Sequence, residues 1–388
     1  MRILGAAFLN VANANGDDFP SRLDWAALSD DARRQSVAPL LYSAIKSLDW
    51  QAHVPPDIVA NLRAEYVRAS FKSLRIAQEL VRLLRQTRAA SIPIILLKGC
   101  ALAQTLYPDP GLRVVGDVDL LIPFAMASRL RQTLVEQGFV AYREVAGGFQ
   151  EEFLGEQSFI RPGKNALTVD AHWAVLNTTN YRERISPEWF MQRVNPIAIG
   201  DQTALVFDAT AQFLHLAGHY WIHHGGKGLR WAFDMALHVH RFEDAIDWDQ
   251  VVNASRSYDL VLPVQNTFKC LRRDWGVAIP QATWDKVMTG RPRLQERVAF
   301  AVFTSPRIEA TFAWNGLTSP GLIGKLNYWI RNIFPHTPYM RDRYKIKHDW
   351  LLPVYYGWRI CKGIYLNTIS ILSMLGNLAR SFLGLSHR

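Results

Sequence analysis

The chain has 388 residues, 49% of them hydrophobic and 20% charged, which is the balance of an ordinary globular protein of two or three domains. A core of that size needs no disulfide or structural metal, which excludes a small disulfide-stapled scaffold. Lys and Arg total 44 against 34 acids, and the resulting net charge of +10 favours an anionic partner, such as a nucleotide, a nucleic acid, an acidic protein or an anionic membrane.

The cysteines and the apolar runs bear on the compartment. Cys100, Cys270 and Cys361 are far apart and have no metal-ligand spacing. They indicate free thiols in a reducing compartment, so we expect a cytoplasmic protein. The apolar run from Ile3 to Val11 is too short to predict a signal peptide. No run of about 18 uncharged apolar residues predicts a membrane-spanning helix.

The first 90 residues are predicted to be a helical region. Apolar residues recur at three-to-four spacing over Leu23–Leu28, Val37–Leu48 and Ile58–Arg88. In the last of these segments one apolar stripe is formed by Val67, Phe71, Leu74, Ala77, Val81 and Leu84. We expect a long amphipathic helix whose stripe lies against the next unit.

Residues 91–185 are predicted to form a small α/β unit with a mixed sheet. Ser91-Ile92-Pro93 ends the long helix. Short apolar or alternating runs predict strands at Ile94–Leu97, Asp117–Ile122, Phe159–Pro162 and Ala166–His172. Helices are predicted between the first strands, at Ala101–Tyr107 and Ala125–Gln137.

From Ser186 onward the patterns predict helices again, in two regions. Residues 186–300 form a helical domain, and residues 301–388 form a basic, aromatic helical region. The fold class is therefore α+β, a small mixed sheet with flanking helices and additional helical regions at both ends.

Asp117 and Asp119 form the first candidate site. Residues i and i+2 of a strand point to the same face, so the two carboxylates converge. Two like charges on a buried strand are costly unless a cation lies between them. Mg²⁺ prefers one or two carboxylates together with phosphate oxygens and water. The alternative is a pair of solvated acids at an exposed strand end.

The turn Lys98-Gly99-Cys100 precedes that strand and joins another strand to a helix. A helix N-terminus presents free N–H groups to an anion, and glycine lets a phosphate approach the backbone. Lys98 adds a positive charge beside it, although it could simply face solvent.

Asp170 is the best candidate for a third carboxylate, which two-metal transfer chemistry uses for a second cation and for activating the attacking hydroxyl. It lies in an alternating run in which Thr168, Asp170 and His172 share a face. An ordinary polar residue on a wet strand face is the competing interpretation. Weaker candidates in a predicted loop are Glu151, Glu152 and Glu156.

Three segments together resemble the nucleotidyltransferase (DNA polymerase β-like) superfamily, and within it the bacterial branch of uncharacterised nucleotidyltransferases. They are the runs 96–103 (LLKGCALA), 106–113 (LYPDPGLR) and 117–122 (DVDLLI). Looser similarity includes Leu229-Arg230-Trp231 with Asp234, and Ile246–Asp249. The resemblance covers roughly residues 70–260 and implies a mixed sheet followed by a helical domain that closes over a nucleotide.

The resemblance also implies a metal site, with Mg²⁺ (or Mn²⁺) held by Asp117 and Asp119 and with Asp170 as the third carboxylate. The superfamily turn usually continues Gly–Gly or Gly–Ser, whereas this chain has Gly99-Cys100. A thiol hydrogen-bonds poorly. Phosphate binding would then depend on backbone N–H groups, Lys98 and Arg113.

His215, His219 and His223 recur every four residues and share a helical face, with His224 adjacent. A zinc site is one interpretation, and a helix that lines the cleft or packs in the core is the simpler one. A basic turn follows, in which Lys227 and Arg230 could reach the nucleotide from the helical domain. Arg230 and Asp234 are spaced to pair.

We therefore expect a nucleotidyltransferase that moves a nucleoside monophosphate, AMP from ATP, to the hydroxyl of a small molecule, sugar, protein or RNA. A non-catalytic nucleotide- or partner-binding protein on the same fold is the alternative. A third is a membrane-surface protein, because residues 325–362 carry eight Lys or Arg, two acids and several aromatics.

Overall fold

A computed structural model describes residues 1–9, 23–142, 149–163, 166–305, 308–365 and 368. The predicted 301–388 region therefore lies partly outside the described residues, as do Lys164 and Asn165 of the turn expected between two strands.

The described residues contain one seven-stranded mixed sheet, with strand order β3-β4-β5-β2-β1-β7-β6. The pairs β1–β7 and β2–β5 are parallel and the other pairs are antiparallel. The strands are β1 (Ile95–Leu97), β2 (Val118–Leu121), β3 (Val140–Ala141), β4 (Glu156–Arg161), β5 (Leu167–His172), β6 (Val194–Ile199) and β7 (Gln202–Phe207). The predicted α+β class with a mixed sheet is confirmed.

Helices precede, interrupt and follow the sheet. Those before and within it are α1 (Arg2–Leu9), α2 (Trp25–Arg34), α3 (Ala38–Ser47), α4 (Pro56–Ala89), α5 (Lys98–Thr105), α6 (Ala127–Glu136), α7 (Thr179–Arg182) and α8 (Pro187–Met191). Those after it are α9 (Ala209–Gly218), a π-helix (His219–His223), α10 (Leu229–Phe242), α11 (Trp248–Ser257), α12 (Val261–Trp275), α13 (Gln281–Met288), α14 (Leu294–Phe303), α15 (Ile308–Thr318), α16 (Gly321–Ile333) and α17 (Thr337–Tyr344). Residues 352–365 form a further helix, α18. No helix among the described residues has the length and apolar character needed to cross a membrane.

Two strands lie where the sequence predicted helices. They are β6 and β7, which follow residue 186 and extend the sheet to Phe207. A hairpin turn at Gly200, with φ at 60°, joins them. Alternating apolar residues flank that turn, which is a hairpin pattern. Pro196 is tolerated because β6 is an edge strand.

The two faces of the sheet bury different cores. Leu96, Leu120 and Val169 pack on one face with the C-terminal half of α4 and with α6. Ile95, Leu97 and Leu121 pack on the other face in a core shared by α1–α3 and α9–α12. The N-terminal helices therefore share their core with the helices after β7.

Helix α4 buries a different stripe from the predicted one. Val67, Phe71 and Leu74 are exposed, at 37%, 70% and 63%. Leu84 of the predicted stripe is buried, and the other buried positions of the C-terminal half include Ile76, Leu80 and Leu83, which lie outside that stripe. The helix carries two apolar stripes on nearly opposite sides, and the one beside the sheet is the one that is covered.

Candidate active site

Asp119 and Asp170 lie side by side on neighbouring parallel strands, in direct register. Alternation along β2 and β5 sends Val118, Leu120 and Val169 into the core beneath the sheet. The two aspartates therefore point to the opposite face, toward the helices that follow β7. Adjacent strands are about 4.8 Å apart, so the carboxylates share one small region.

Asp117 lies immediately before β2 and is half-buried. Burial raises its pKa, and the charge of Asp119 raises it further. Lys98 and Arg230 partly oppose that rise, so both cations lie near this carboxylate.

Asp119 is buried and already holds two partners. Its Oδ1 accepts from Lys98 Nζ at 2.6 Å and lies 3.0 Å from His172 Nε2. Burial opposes its charge, but Lys98 and His172 outweigh burial and hold its pKa below the usual range. Burial likewise opposes the charge on Lys98, and Asp119 and Glu156 outweigh it and raise the Lys98 pKa.

Asp170 differs because its buried Oδ1 has no hydrogen-bond partner. Burial raises its pKa, a hydrogen bond from Ser158 offsets part of that rise, and the charge of Asp119 adds to it. An unpaired carboxylate oxygen beside two other acids is the environment that a hard cation stabilises. The residue types at this face therefore fit Mg²⁺ or Mn²⁺.

The described side chains are not arranged around a cation, however. In the described part of the chain, no three His, Cys, Asp or Glu side chains form a group that could hold a metal ion. Lys98 Nζ instead lies against Asp119, where it neutralises the carboxylate as a cation would.

The left-handed backbone of the turn falls on Lys98, with φ at 49°, and not on the adjacent glycine. A Cβ on Gly99 would meet the Arg113 guanidinium at 3.5 Å, an ordinary contact. The backbone conformation of Gly99 therefore does not require a glycine. Lys98, by contrast, is a non-glycine residue in the left-handed region and is strained, and such strain is concentrated at functional sites.

Cys100 is buried and turned toward the protein. Its Sγ donates to the backbone carbonyl oxygen of Asp117 at 3.4 Å, which joins the first turn of α5 to the start of β2. Burial raises the pKa of the thiol. Its side chain therefore supports the site from behind, and a contribution to phosphate binding would come from its backbone.

Arg113 forms a buried ion pair with Asp234. Its Nε and Nη2 donate to the carboxylate at 2.8–3.1 Å, and Tyr107 Oη donates to Asp234 Oδ1 at 2.6 Å. The predicted Arg230–Asp234 pair is therefore wrong. Arg113, from the segment before β2, binds both carboxylate oxygens of Asp234, and Arg230 donates to the Val114 carbonyl oxygen instead.

Arg230 and Lys227 lie differently. Arg230 is half-buried, stacks over Trp231 at 4.8 Å and donates through Nη1 to the Val114 carbonyl oxygen at 3.5 Å. Burial and the charge of Arg113 lower its pKa. Lys227 is exposed on the turn between the π-helix and α10. Binding of nucleotide by Lys98, Gly99, Cys100, Arg113, Lys227 and Arg230 stays a prediction.

Two residues near the aspartates were missed or placed in a loop. His172 bridges Asp119 and Glu156, with its Nδ1 3.2 Å from Glu156 Oε2. Glu156 opens β4 directly opposite His172. The signal for His172 was visible in the sequence, because it shares the strand face of Asp170. Glu152 instead pairs with Arg331.

The histidines form a cluster near Lys98 and not a zinc centre. Burial is the main cause that lowers the pKa of His215, His219, His223 and His224, and the charge of Lys98 adds to it in all four. These four histidines are among the described residues, in which no three potential ligands are arranged to hold a metal ion. The simpler prediction of a helix packed in the core agrees with the burial of His215 and His219, although the ring nitrogens of His215 are not paired with neighbouring groups.

A family model described as "uncharacterised nucleotidyltransferase" matches residues 21–276, about two thirds of the chain. The chain belongs to this family. Family membership supports a nucleotidyltransferase-like function, and the matched range contains Lys98, Asp117, Asp119 and Asp170.

Other comparisons add little. No curated protein matches the chain. A solved structure, an antigenic nucleotidyltransferase-like protein from Paracoccidioides brasiliensis, is 11% identical, with a TM-score of 0.36 over 57% of this chain and 95% of that one. A likeness this low supports no conclusion about function.

Proposed function

We propose that this nucleotidyltransferase family member is a metal-dependent enzyme that transfers AMP from ATP to the hydroxyl of an acceptor. The observation that carries the proposal is the register of Asp119 and Asp170 on β2 and β5, with Asp117 two residues before Asp119 on the same side. Three acids converge there beside a lysine on a strand-to-helix turn: Asp119 is buried, and Asp117 and Asp170 are half-buried, with one buried Asp170 oxygen unpaired.

Asp117, Asp119 and Asp170 would hold Mg²⁺ or Mn²⁺, which when bound neutralises phosphate charge and polarises the transferring phosphoryl group. Lys98 and the N–H groups at the start of α5 bind the triphosphate. Asp170, whose pKa is raised by burial, accepts the acceptor hydroxyl proton. His172 holds Asp119 in place through its contact at 3.0 Å.

The test is calorimetric titration of ATP, GTP, CTP and UTP with and without Mg²⁺. We expect Mg²⁺-dependent binding that Asp117→Asn/Asp119→Asn abolishes. The double variant Asp244→Asn/Asp249→Asn removes the same charge from exposed acids and serves as the matched control. Binding of no triphosphate under any metal condition would overturn the proposal.

A second candidate is a nucleotide-binding protein without turnover. The observation that favours it is the Lys98–Asp119 ion pair, which occupies the carboxylate that a metal would need. Labelled ATP separates the two. Transfer of label from the α-phosphate with release of pyrophosphate supports the enzyme, whereas tight binding with no release across acceptor classes supports the second candidate.

A further inference from the structure

Four imidazoles lie together on the helices that cover the acid-bearing face of the sheet. We name His215, His219, His223 and His224 the histidine array. Ring centroids are 5.9 Å apart for His215–His219, 4.9 Å for His219–His223 and 4.6 Å for His219–His224. Helix α9 becomes a π-helix at His219, and His219 and His224 meet at 3.0 Å between their Nε2 atoms. Single π-helical turns within α-helices occur often at functional sites.

The array contains buried polar atoms without partners. His215 is 1% exposed, and neither of its ring nitrogens has a hydrogen-bond partner. Nε2 of His223 is also unpartnered. His238, equally buried at 2%, shows the ordinary arrangement, because its Nε2 bonds to the Ala209 carbonyl oxygen at 2.9 Å. A buried polar group without a hydrogen-bond partner destabilises the folded state, so the array is suited to a ligand rich in oxygen.

The surrounding charges favour an anionic ligand. The charge of Lys98 lowers the pKa of all four histidines, and that of Arg230 lowers the pKa of His224. His172 lowers the pKa of His215 and His223, and Asp119 raises that of His215. Burial lowers the pKa of His215 to about 3 and that of His224 to about 4, so the array is uncharged at neutral pH.

We propose that the histidine array, together with Lys98 and Arg230, binds a phosphate-type oxyanion carried by a substrate of the site. The inference rests on the proposed function for its place in the reaction. The oxyanion has two possible sources, the β- and γ-phosphates of the triphosphate or a phosphate group on the acceptor. A bound dianion favours protonated imidazole, so binding takes up protons from solvent.

The test is titration of inorganic phosphate and of pyrophosphate into the full chain at pH 7 with EDTA present. Running it in two buffers of different ionisation enthalpy measures the protons taken up. We expect millimolar or tighter binding with proton uptake, weakened at least tenfold in His223→Gln/His224→Gln. His240→Gln, an exposed histidine on α10, is the control and leaves binding unchanged.

The outcomes separate the sources. Pyrophosphate that competes with ATP assigns the array to the triphosphate, and phosphate that still binds at saturating ATP assigns it to the acceptor. No binding of either probe, or equal binding by the double variant, overturns the inference. If phosphate binds through the array and no triphosphate binds with Mg²⁺, the proposed function fails and the inference about the array is upheld. If triphosphate binding survives and the array variant is unaffected, the array inference fails by itself.

A second, independent observation concerns helix α16, which is apolar on two sides. Tyr328 on its inner side is buried against Phe149, Phe153 and Phe312. The outer side exposes large apolar residues, and with two neighbours from α18 it forms what we name the C-terminal apolar surface. Its members are Leu322 (75%), Ile323 (75%), Leu326 (53%), Ile330 (55%), Phe334 (55%), Val354 (64%) and Trp358 (48%).

Helix α18 continues this surface and adds charge. Arg359 of α18 donates to the Asn332 carbonyl oxygen at 2.7 and 2.9 Å, and the rings of Phe334 and Tyr356 are 6.0 Å apart. Residues 325–362 carry eight Lys or Arg against two acids. Lys362 Nζ lies 4.7 Å from the Trp358 ring centroid. Exposed apolar side chains in a segment with an excess of positive charge match an anionic bilayer interface.

We infer that the C-terminal apolar surface docks on an anionic lipid bilayer. Co-sedimentation with phosphatidylcholine vesicles, with and without 30% phosphatidylglycerol, tests this. We expect binding to the anionic vesicles that falls at least tenfold at 0.5 M NaCl and in Leu322→Ser/Ile323→Ser. The matched control Phe71→Ser/Leu74→Ser changes two apolar residues on α4 that are 70% and 63% exposed, and keeps binding.

Three outcomes would overturn the inference. One is no vesicle binding, and another is equal binding to neutral and anionic vesicles. The third is a dimer in sedimentation velocity that the α16 variant dissociates, since a second copy would then cover the surface.

Discussion

Arg113 and Asp234 form a doubly hydrogen-bonded ion pair with only 4% and 0% of their side chains exposed. The pair joins the segment before β2 to α10, so it fixes the helix that carries Arg230 relative to the strand that carries Asp119. The Arg113 Nη1 also donates to the Val114 carbonyl oxygen at 2.7 Å, and Arg230 reaches the same oxygen.

Asp234→Ala leaves the guanidinium buried without its counter-ion, so we expect a loss of about 3–5 kcal/mol in the free energy of unfolding. Urea denaturation followed by circular dichroism measures it. Asp244→Ala, on an exposed acid, should stay within about 0.5 kcal/mol of wild type. The apolar pair Arg113→Met/Asp234→Leu should recover most of the loss. Equal losses in the free energy of unfolding for Asp234→Ala and Asp244→Ala would show that the Arg113–Asp234 ion pair does not stabilise the fold.

Asp170→Asn should stabilise the protein while removing transfer activity. The substitution replaces a half-buried carboxylate, one of whose oxygens is buried and unpaired, by a neutral isostere, and we expect a gain of about 1 kcal/mol at pH 7. Urea unfolding measures the gain, and the labelled-ATP assay measures the activity. A variant that is both less stable and fully active would contradict the role given to Asp170.

The pH dependence of that variant has a defined sign. Because the folded-state pKa of Asp170 is raised by burial, the folded state binds its proton more tightly than the unfolded chain. Wild-type stability therefore falls as pH rises from the ordinary Asp pKa through the raised value. Asp117 contributes in the same direction, and Asp119, whose pKa is lowered, loses its contribution as pH falls. The stability difference between wild type and Asp170→Asn should thus grow with pH and then level off.

Lys98 offers a matched pair of variants, since Lys98→Gly and Lys98→Met both remove the charge. Glycine relieves the left-handed backbone and methionine keeps it, so we expect Lys98→Gly to be more stable by about 1 kcal/mol. Thermal or urea unfolding of both variants tests this. Equal stability would show that the turn is unstrained.

The same two variants test whether Lys98 competes with a metal for Asp119. Without the amine at 2.6 Å, the Asp119 carboxylate keeps only its contact with His172 and becomes accessible to a cation. We expect Mn²⁺ binding in the absence of nucleotide, followed by electron paramagnetic resonance, to tighten several-fold in both variants, while triphosphate binding weakens. Unchanged Mn²⁺ affinity would argue that the metal does not use Asp119.

The three cysteines should differ in reactivity. Cys100 and Cys270 are buried and Cys361 is exposed. Burial raises the pKa of the Cys270 thiol to about 12 and raises that of Cys100 as well. A thiol reagent at pH 8 should therefore modify one cysteine in the native protein and three in urea. Cys361→Ser should leave no fast-reacting thiol.

The strands around the aspartates were predictable because each shows its period within a few residues. Leu96, Val118 and Leu120 gave the buried sides, and the acids between them gave the open side. The pairing of Arg113 with Asp234 could not be predicted, because it joins residues 121 apart and depends on how α10 crosses the sheet. Lys98 was predicted to lie beside phosphate. Its ion pair with Asp119 could not be predicted, because it depends on the register of β1 against β2. The stripe on α4 failed because periodicity cannot choose between two apolar sides.

The parallel pairing of β1 with β7 also sets when the site can be completed during synthesis. Ile95 pairs with Leu205, so one edge of the strand that leads into Lys98 waits for 110 further residues. At about 5–20 residues per second, that interval lasts roughly 5–20 s on the ribosome. During it the apolar edge of β1 is open to other chains. We therefore expect the Lys98-Gly99-Cys100 turn to be among the last parts of the sheet to become protected from proteases as the chain emerges.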